Sequence, residues 1–236
     1  MRIDKFLTET GTCTRSEAGK AVRKGEVLLN GRAVRSASEQ INPETDRLTF
    51  RGEEIVYRKF TYILLNKPEG VVSATEDGDV TVIDLLPEQL QRLSLFPCGR
   101  LDKYTVGFVL LTNNGPLSHR LLSPKHHVEK CYRFTARSPL SDGDMAKLEE
   151  GVDIGGYFTA PCKLEREGEG DYYRITLTEG KYHQIKRMLE AVGNKITFLE
   201  RISFAGIVLP DDLPRGEWRY LTDDEIAALE NHGVAK

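Results

Sequence analysis

The run Val-Gly-Phe-Val-Leu-Leu, from Val106 to Leu111, constrains the fold more than any other stretch. Five apolar residues and one glycine, with nothing polar among them, read as a buried strand. The run ends on Thr112 and an Asn113-Asn114-Gly115 turn, and Pro116 suits the first turn of a helix reaching about residue 122. Arg100 and Asp102 sit just upstream of the run. A carboxylate there stands at the edge of a core, in a loop held by a rigid element, where catalytic side chains are often found.

The rest of the chain supplies short strands and scattered helices. Thr14-Arg15-Ser16-Glu17 is a capping box, and Ala18, Ala21 and Val22 give the apolar face of a helix over about 15–24, stopped by Gly25. Asn30-Gly31 between short apolar runs signals a hairpin, and a second strand pair is expected near 47–57. Residues 55–60 read as a linker. Beyond it, 61–74 suggests two strands around a Lys-Pro-Glu-Gly turn, and 84–91, 141–150 and 222–231 read as helices. Tyr132, Phe134 and Ala136 alternate with Arg133 and Thr135, and Tyr173, Ile175 and Leu177 repeat the pattern. Many alternating strands with scattered helices predict an α+β fold whose larger domain has a mainly antiparallel, mixed sheet flanked by helices.

Composition excludes several classes. Hydrophobic residues make up 39% and charged residues 29%, which predicts a folded soluble protein. No apolar run approaches the roughly 18 residues of a membrane span, so no membrane partner is expected. The start lacks an apolar signal core, and Cys13, Cys98, Cys131 and Cys162 are far apart with no CxxC pair. They read as reduced thiols in a cytoplasmic protein without a zinc site. The net charge is −3, yet its distribution is uneven. Residues 1–60 carry 12 basic and 9 acidic side chains, whereas 211–230 carry two and seven. Segments 99–132 and 180–201 each carry five basic and two acidic residues. Basic charge gathered in this way suits a nucleic-acid partner.

In 179–193, Ile185, Met188, Leu189 and Val192 recur at helical spacing and define one buried face, with Gly193 ending the helix. Lys186 flanks that stripe, and Arg187 points away from it toward solvent or phosphate. A cation early in a helix opposes the helix dipole, so something negative is expected beside Lys186.

Two resemblances follow from these motifs. Arg2-Ile-Asp-Lys-Phe-Leu7, the Arg15-Ser16 helix start and the Gly25…Val27…Asn30-Gly31 close resemble the S4-type RNA-binding domain over about 50 residues. Arg2, Lys5, Arg15, Lys20, Arg23 and Lys24 lie on or beside two short helices, placed to meet phosphates. The stretches GRLDKYTVGFVLLTNNG, HHVEKCYRF and LTEGKYHQIKRMLEAVGN resemble the motifs of pseudouridine synthases, most of all the RsuA type acting on small-subunit ribosomal RNA. The expected domains are therefore an S4-like RNA-binding domain at 1–58 and a synthase domain at 59–236.

The resemblance implies roles, position by position. Asp102 is the expected catalytic aspartate, Lys186 its partner, and Tyr132 the residue that packs on the uracil and serves in proton transfer. Arg100 helps displace the flipped nucleotide and Leu177 lines the pocket. Lys181 and Arg187 join the basic residues of the first domain as RNA contacts. The chain has Asn114 where the family usually has Asp, and Phe108, Cys131 and Lys181 where it often has Leu, Thr and Arg. The resemblance implies an isomerase that needs no cofactor or metal. Its partner is ribosomal RNA, small-subunit (16S) for preference, or a partly assembled ribosomal subunit, and it acts as a monomer. The alternatives are a large-subunit specificity and an RNA-binding ribosome-assembly factor that does not catalyse.

Overall fold

The computed structural model describes residues 1–168 and 172–232. Residues 169–171 and 233–236, within the expected larger domain, lie outside the described residues. The chain forms two compact units: Met1–Thr61 together with Leu86–Phe96, and Tyr62–Leu85 together with the chain from Pro97 onward.

In the first unit, helices α1 (Ile3–Glu9) and α2 (Arg15–Arg23) accompany a sheet of β1 (Val27–Leu29), β2 (Arg32–Ala33), β3 (Leu48–Phe50) and β4 (Glu53–Ile55). The strand order is β2-β1-β3-β4, antiparallel throughout. The Thr14 hydroxyl accepts the Glu17 N–H while the Glu17 carboxylate accepts the Thr14 N–H, so the expected capping box closes both ways. Asn30 and Gly31 both have positive φ, +50° and +79°, as a two-residue hairpin turn between twisted strands requires. Ile3, Phe6, Leu7, Ala18, Val27 and Leu48 share one apolar core.

The helix expected over 84–91 is shorter: α3 spans Glu88–Gln91. Asp84 is committed to a turn with Thr81, accepting its N–H at 2.8 Å, and Pro87 is extended and disfavours a helical residue before it.

The second unit is organised by a sheet of nine strands. They are β5 (Tyr62–Lys67), β6 (Phe96–Cys98), β7 (Val106–Thr112), β8 (Lys130–Ala136), β9 (Lys163–Glu167), β10 (Tyr172–Leu177), β11 (Ile196–Phe204), β12 (Ile207–Val208) and β13 (Trp218–Tyr220). The main path runs β13-β5-β7-β11-β8-β10-β9, with β12 on β11 and β6 on β7. Every neighbour on that path is antiparallel except β7 and β11, which run parallel. All of β7 is buried, as its composition demands. Its one glycine sits at the parallel junction, where Gly107 registers with Arg201. Gly107 has φ +100°, and a Cβ there would overlap the Arg201 carbonyl oxygen, so only glycine permits the close approach.

Helices α4 (Gly115–Leu122), α5 (Asp142–Glu150), α6 (Gln184–Ala191) and α7 (Asp223–Asn231) complete this unit. Asn114 caps α4 by accepting the Leu117 N–H, and its amide donates to the Tyr62 hydroxyl at 2.8 Å. A carboxylate at this position could bond the hydroxyl only by accepting from it, reversing the direction. Phe134, Leu148, Leu164, Ile175, Met188 and Leu199 form a core joining α5, α6 and the β8–β10 side of the sheet. Among the described residues no helix is long and apolar enough to cross a membrane.

The second strand expected after the Lys-Pro-Glu-Gly turn does not form. Residues 71–85 make one isolated bridge, Val72 to Thr81. The segment bonds mostly to itself, Val72 N–H to the Val80 carbonyl and Val82 N–H to the Val72 carbonyl, while Ser73 and Asp79 reach the loop that carries Asp102.

Candidate active site

Asp102 lies in the loop from Gly99 to Thr105, just before β7. The loop closes on itself through the Thr105 N–H to the Asp102 carbonyl at 3.0 Å. It is then braced from outside. Lys67, at the end of β5 and wholly buried, donates through Nζ to the carbonyls of Pro68, Lys103 and Thr105 at 3.0, 3.0 and 2.8 Å. Burial pushes the Lys67 ammonium down to about 8, against the opposing pull of the Asp102 and Glu69 charges. The Gly70 N–H reaches the Lys103 carbonyl at 2.9 Å, and the Ser73 hydroxyl accepts the Leu101 N–H at 3.1 Å. The aspartate backbone is thus fixed on both sides.

The opposing wall comes from α6. Ile185, Met188 and Leu189 are buried, as the periodicity predicts, and Gln184 is buried too. The Gln184 amide donates to Glu179 at 2.7 Å, and its oxygen accepts the Lys181 N–H at 2.8 Å. This locks the turn leading into the helix. Lys186, in the first turn, projects its ammonium to Asp102 Oδ2 at 2.6 Å. The negative neighbour required by a cation near a helix N-terminus is therefore the aspartate. Both side chains are about 30% exposed (Asp102 29%, Lys186 31%), so the pair is reachable from solvent without being bathed in it.

Sequence reasoning did not single out His183. Its backbone is left-handed, φ +50°, and its Nε2 lies 3.4 Å from Asp102 Oδ1. Its ring stacks on Tyr182, centroids 3.8 Å apart. The left-handed backbone sets the direction of the ring, and φ cannot be read from composition.

These groups face a cavity of about 110 Å³ lined by Arg100, Asp102, Thr105, Tyr132, Leu177 and Lys186 among others. Tyr132 stands on β8 between Ile175 and Arg201, packed against the core. Leu177, at the end of β10, is buried. The Thr105 hydroxyl is buried and lacks a hydrogen-bond partner among the described residues. Arg100 is exposed at the mouth and also lines two neighbouring hollows of about 440 and 330 Å³. Lys181 is exposed, with its ammonium 4.1 Å from the Tyr157 ring centroid. Arg187 is half-buried, and its guanidinium packs over Gly155 where a Cβ would lie only 2.8 Å away. It meets protein as well as solvent, which the helical wheel alone did not convey. No group of three or more His, Cys, Asp or Glu side chains among the described residues could hold a metal ion.

Arg2, Lys5, Arg15, Lys20, Arg23 and Lys24 of the first unit are all exposed. Arg2 is engaged by Asp4 at 2.7 Å and Lys5 by Glu9 at 3.6 Å. Arg15, Lys20, Arg23 and Lys24 make no ion pair among the described residues.

The chain is similar to known proteins along nearly its whole length. The RNA pseudouridylate synthase family matches residues 61–191 and the S4 domain matches residues 1–47. A Bacillus subtilis protein named uncharacterized RNA pseudouridine synthase YtzG is 45% identical over 97% of this chain and 98% of its own. The ribosomal small subunit pseudouridine synthase A of Haemophilus influenzae is 41% identical, over 97% of this chain and 99% of its own. A crystal structure of a pseudouridylate synthase superposes with a TM-score of 0.68 at 40% identity, covering 97% of this chain and 99% of that one. With its ion-paired aspartate at the wall of a cavity and an S4 domain ahead of it, the chain belongs to the RNA pseudouridylate synthase family.

Proposed function

We propose that this protein isomerises a uridine of small-subunit ribosomal RNA to pseudouridine, with Asp102, Tyr132 and Lys186 as its catalytic groups. The reaction breaks the N1–C1′ bond, turns the uracil and joins C5 to C1′. The proton on C5 is lost and N1 gains one, so nothing is consumed. The contact between Lys186 and Asp102 at 2.6 Å, at the cavity wall, carries this reading. It holds a carboxylate in one orientation beside a space that admits an extruded base.

The other groups fit the same chemistry. Flipping a base costs a few kcal/mol, roughly, and is offset by stacking and edge hydrogen bonds. The Tyr132 ring and Leu177 offer apolar contact, and the Thr105 hydroxyl offers a polar one. Tyr132 is placed to take the C5 proton. Arg100, exposed at the mouth, fills the gap left in the stack. Asp102, held by Lys186, faces the ribose as the glycosidic bond breaks. A base seated in the cavity displaces water from the reacting atoms and so protects the intermediate. The 41% identity to a ribosomal small subunit pseudouridine synthase supports the choice of RNA. The exposed cations Arg2, Lys5, Arg15, Arg23 and Lys24 of the S4 domain, with Lys181 and Arg187, contact its backbone.

The test is Asp102→Asn. Pseudouridines are mapped in small- and large-subunit ribosomal RNA incubated with each protein. The wild-type chain modifies a small-subunit uridine; the variant binds that RNA but forms no product. A variant that still turns over, or a wild type that modifies only large-subunit RNA, overturns the proposal.

A further inference from the structure

Beside the uridine cavity, and sharing Arg100, Tyr132 and Lys181 with it, lies the second hollow of about 330 Å³. Two of its lining residues, Lys130 and Arg201, are buried cations, 8% and 2% exposed. They stand on adjacent strands, Lys130 opposite Phe204 and Arg201 opposite Tyr132. Both reach the Phe204 ring, at 5.8 and 5.3 Å from its centroid.

Their internal bonding does not balance their charge. Lys130 Nζ donates to the Val128 carbonyl at 2.7 Å. Arg201 Nε donates to the Phe108 carbonyl at 2.8 Å, and its Nη2 has no partner among the described residues. Neither cation makes an ion pair among the described residues. The charged or titratable groups that act on Lys130 are Arg201, which repels it, and the thiol of Cys98. Burial, reinforced by Arg201, pushes Lys130 down to about 8. Among the described lining residues Glu179 is the one carboxylate, and its oxygens accept from the Tyr157 hydroxyl, the Ala160 N–H and the Gln184 amide. Buried charge without a partner is costly, and proteins seldom keep it without a use.

We infer that this hollow is a phosphate subsite, in which Lys130 and Arg201 take a phosphodiester of the RNA strand adjacent to the uridine. The inference rests on the reading of the neighbouring cavity as the uridine pocket. An anion in the hollow lies against two like charges and offsets both at once. Arg100 and Lys181, both exposed, supply the rim.

The test uses the full chain and Lys130→Met. A structural lysine and a binding lysine give opposite results. If Lys130 is kept for an anion, removing it relieves repulsion with Arg201, and the variant melts at or above the wild-type temperature in phosphate-free buffer. Its affinity for a small-subunit ribosomal RNA transcript falls about tenfold near 0.1 M salt. The slope of log affinity against log salt drops by about one, the share of one neutralised phosphate. Lys130→Arg, which keeps the charge, retains most of the slope. Wild-type affinity and slope in Lys130→Met overturn the inference, whatever the melting temperature. A rise in melting temperature with inorganic phosphate, lost in Lys130→Met but with the RNA slope unchanged, assigns the hollow to a free anion and also overturns it. None of these readings needs turnover. Failure to form pseudouridine on any RNA would sink the uridine reading alone.

Discussion

The Lys186 ammonium is the sharpest point at which to test the site. Replacing it by methionine keeps the length of the side chain and removes one charge and one hydrogen bond. A hydrogen bond to a charged group contributes ~1.5–3 kcal/mol. Coulomb attraction between charges ~4 Å apart at an effective dielectric of ~20 is ~4 kcal/mol before desolvation is subtracted. Because each side chain is about 30% exposed, water recovers part of this, and a net loss of ~2–3 kcal/mol is expected. If that stabilisation is used with the reacting nucleoside in place, kcat falls ~30- to 150-fold. The assay is single-turnover release of tritium from uridine labelled at C5, since that hydrogen leaves as C5 joins C1′. Binding of the same RNA is measured in parallel and changes less than about threefold. Lys186→Arg, which keeps the cation, retains at least a tenth of the rate. A methionine variant with more than half the wild-type rate would refute the pairing as a functional device. Loss of affinity in step with the rate would make Lys186 a phosphate contact instead.

Two further outcomes follow from the fold. Gly107→Ala places a Cβ against the Arg201 backbone at φ +100°, so the parallel junction must open. A loss of more than ~3 kcal/mol in urea denaturation is expected, and a loss under ~1 kcal/mol would contradict the geometry. Lys67 and Lys130 are held at about 8 in the folded chain, below the ~10.4 of an exposed lysine. Between these values the unfolded chain binds more protons, so these groups make stability rise with pH from about 8 toward 10. Lys130→Met removes one share of that rise, on the order of 2 kcal/mol, in urea melts at pH 7.5 and 9.5. Equal slopes in the two proteins would show that Lys130 does not titrate in this window.

What could be read from the residues depended on which atoms make the bonds. The helix carrying Lys186 was legible because Ile185, Met188 and Leu189 repeat at helical spacing and the core lies on that side. The capping box at Thr14 was legible because side chains make both bonds. The brace around Asp102 was not. Lys67 at the end of β5 grips three carbonyls, Gly70 of the turn adds a backbone N–H, and from the stretch that looked like a second strand Ser73 adds its hydroxyl. His183 escaped because its backbone angle, set by the turn locked through Gln184, brings the ring to Asp102. Lys130 and Arg201 escaped for a simpler reason. A count of basic residues treats every cation as surface, and nothing in their neighbours announces that the sheet closes over them.

The clamp at Lys67 also separates what must stay fixed from what can drift. It holds main-chain oxygens at 103 and 105, never the side chains of 103 or 104, and Tyr104 is turned outward. Mutation can therefore redecorate this exposed rim while the acid beneath keeps its post. Selectivity for a particular loop of RNA is free to be retuned there with no retooling of the chemistry.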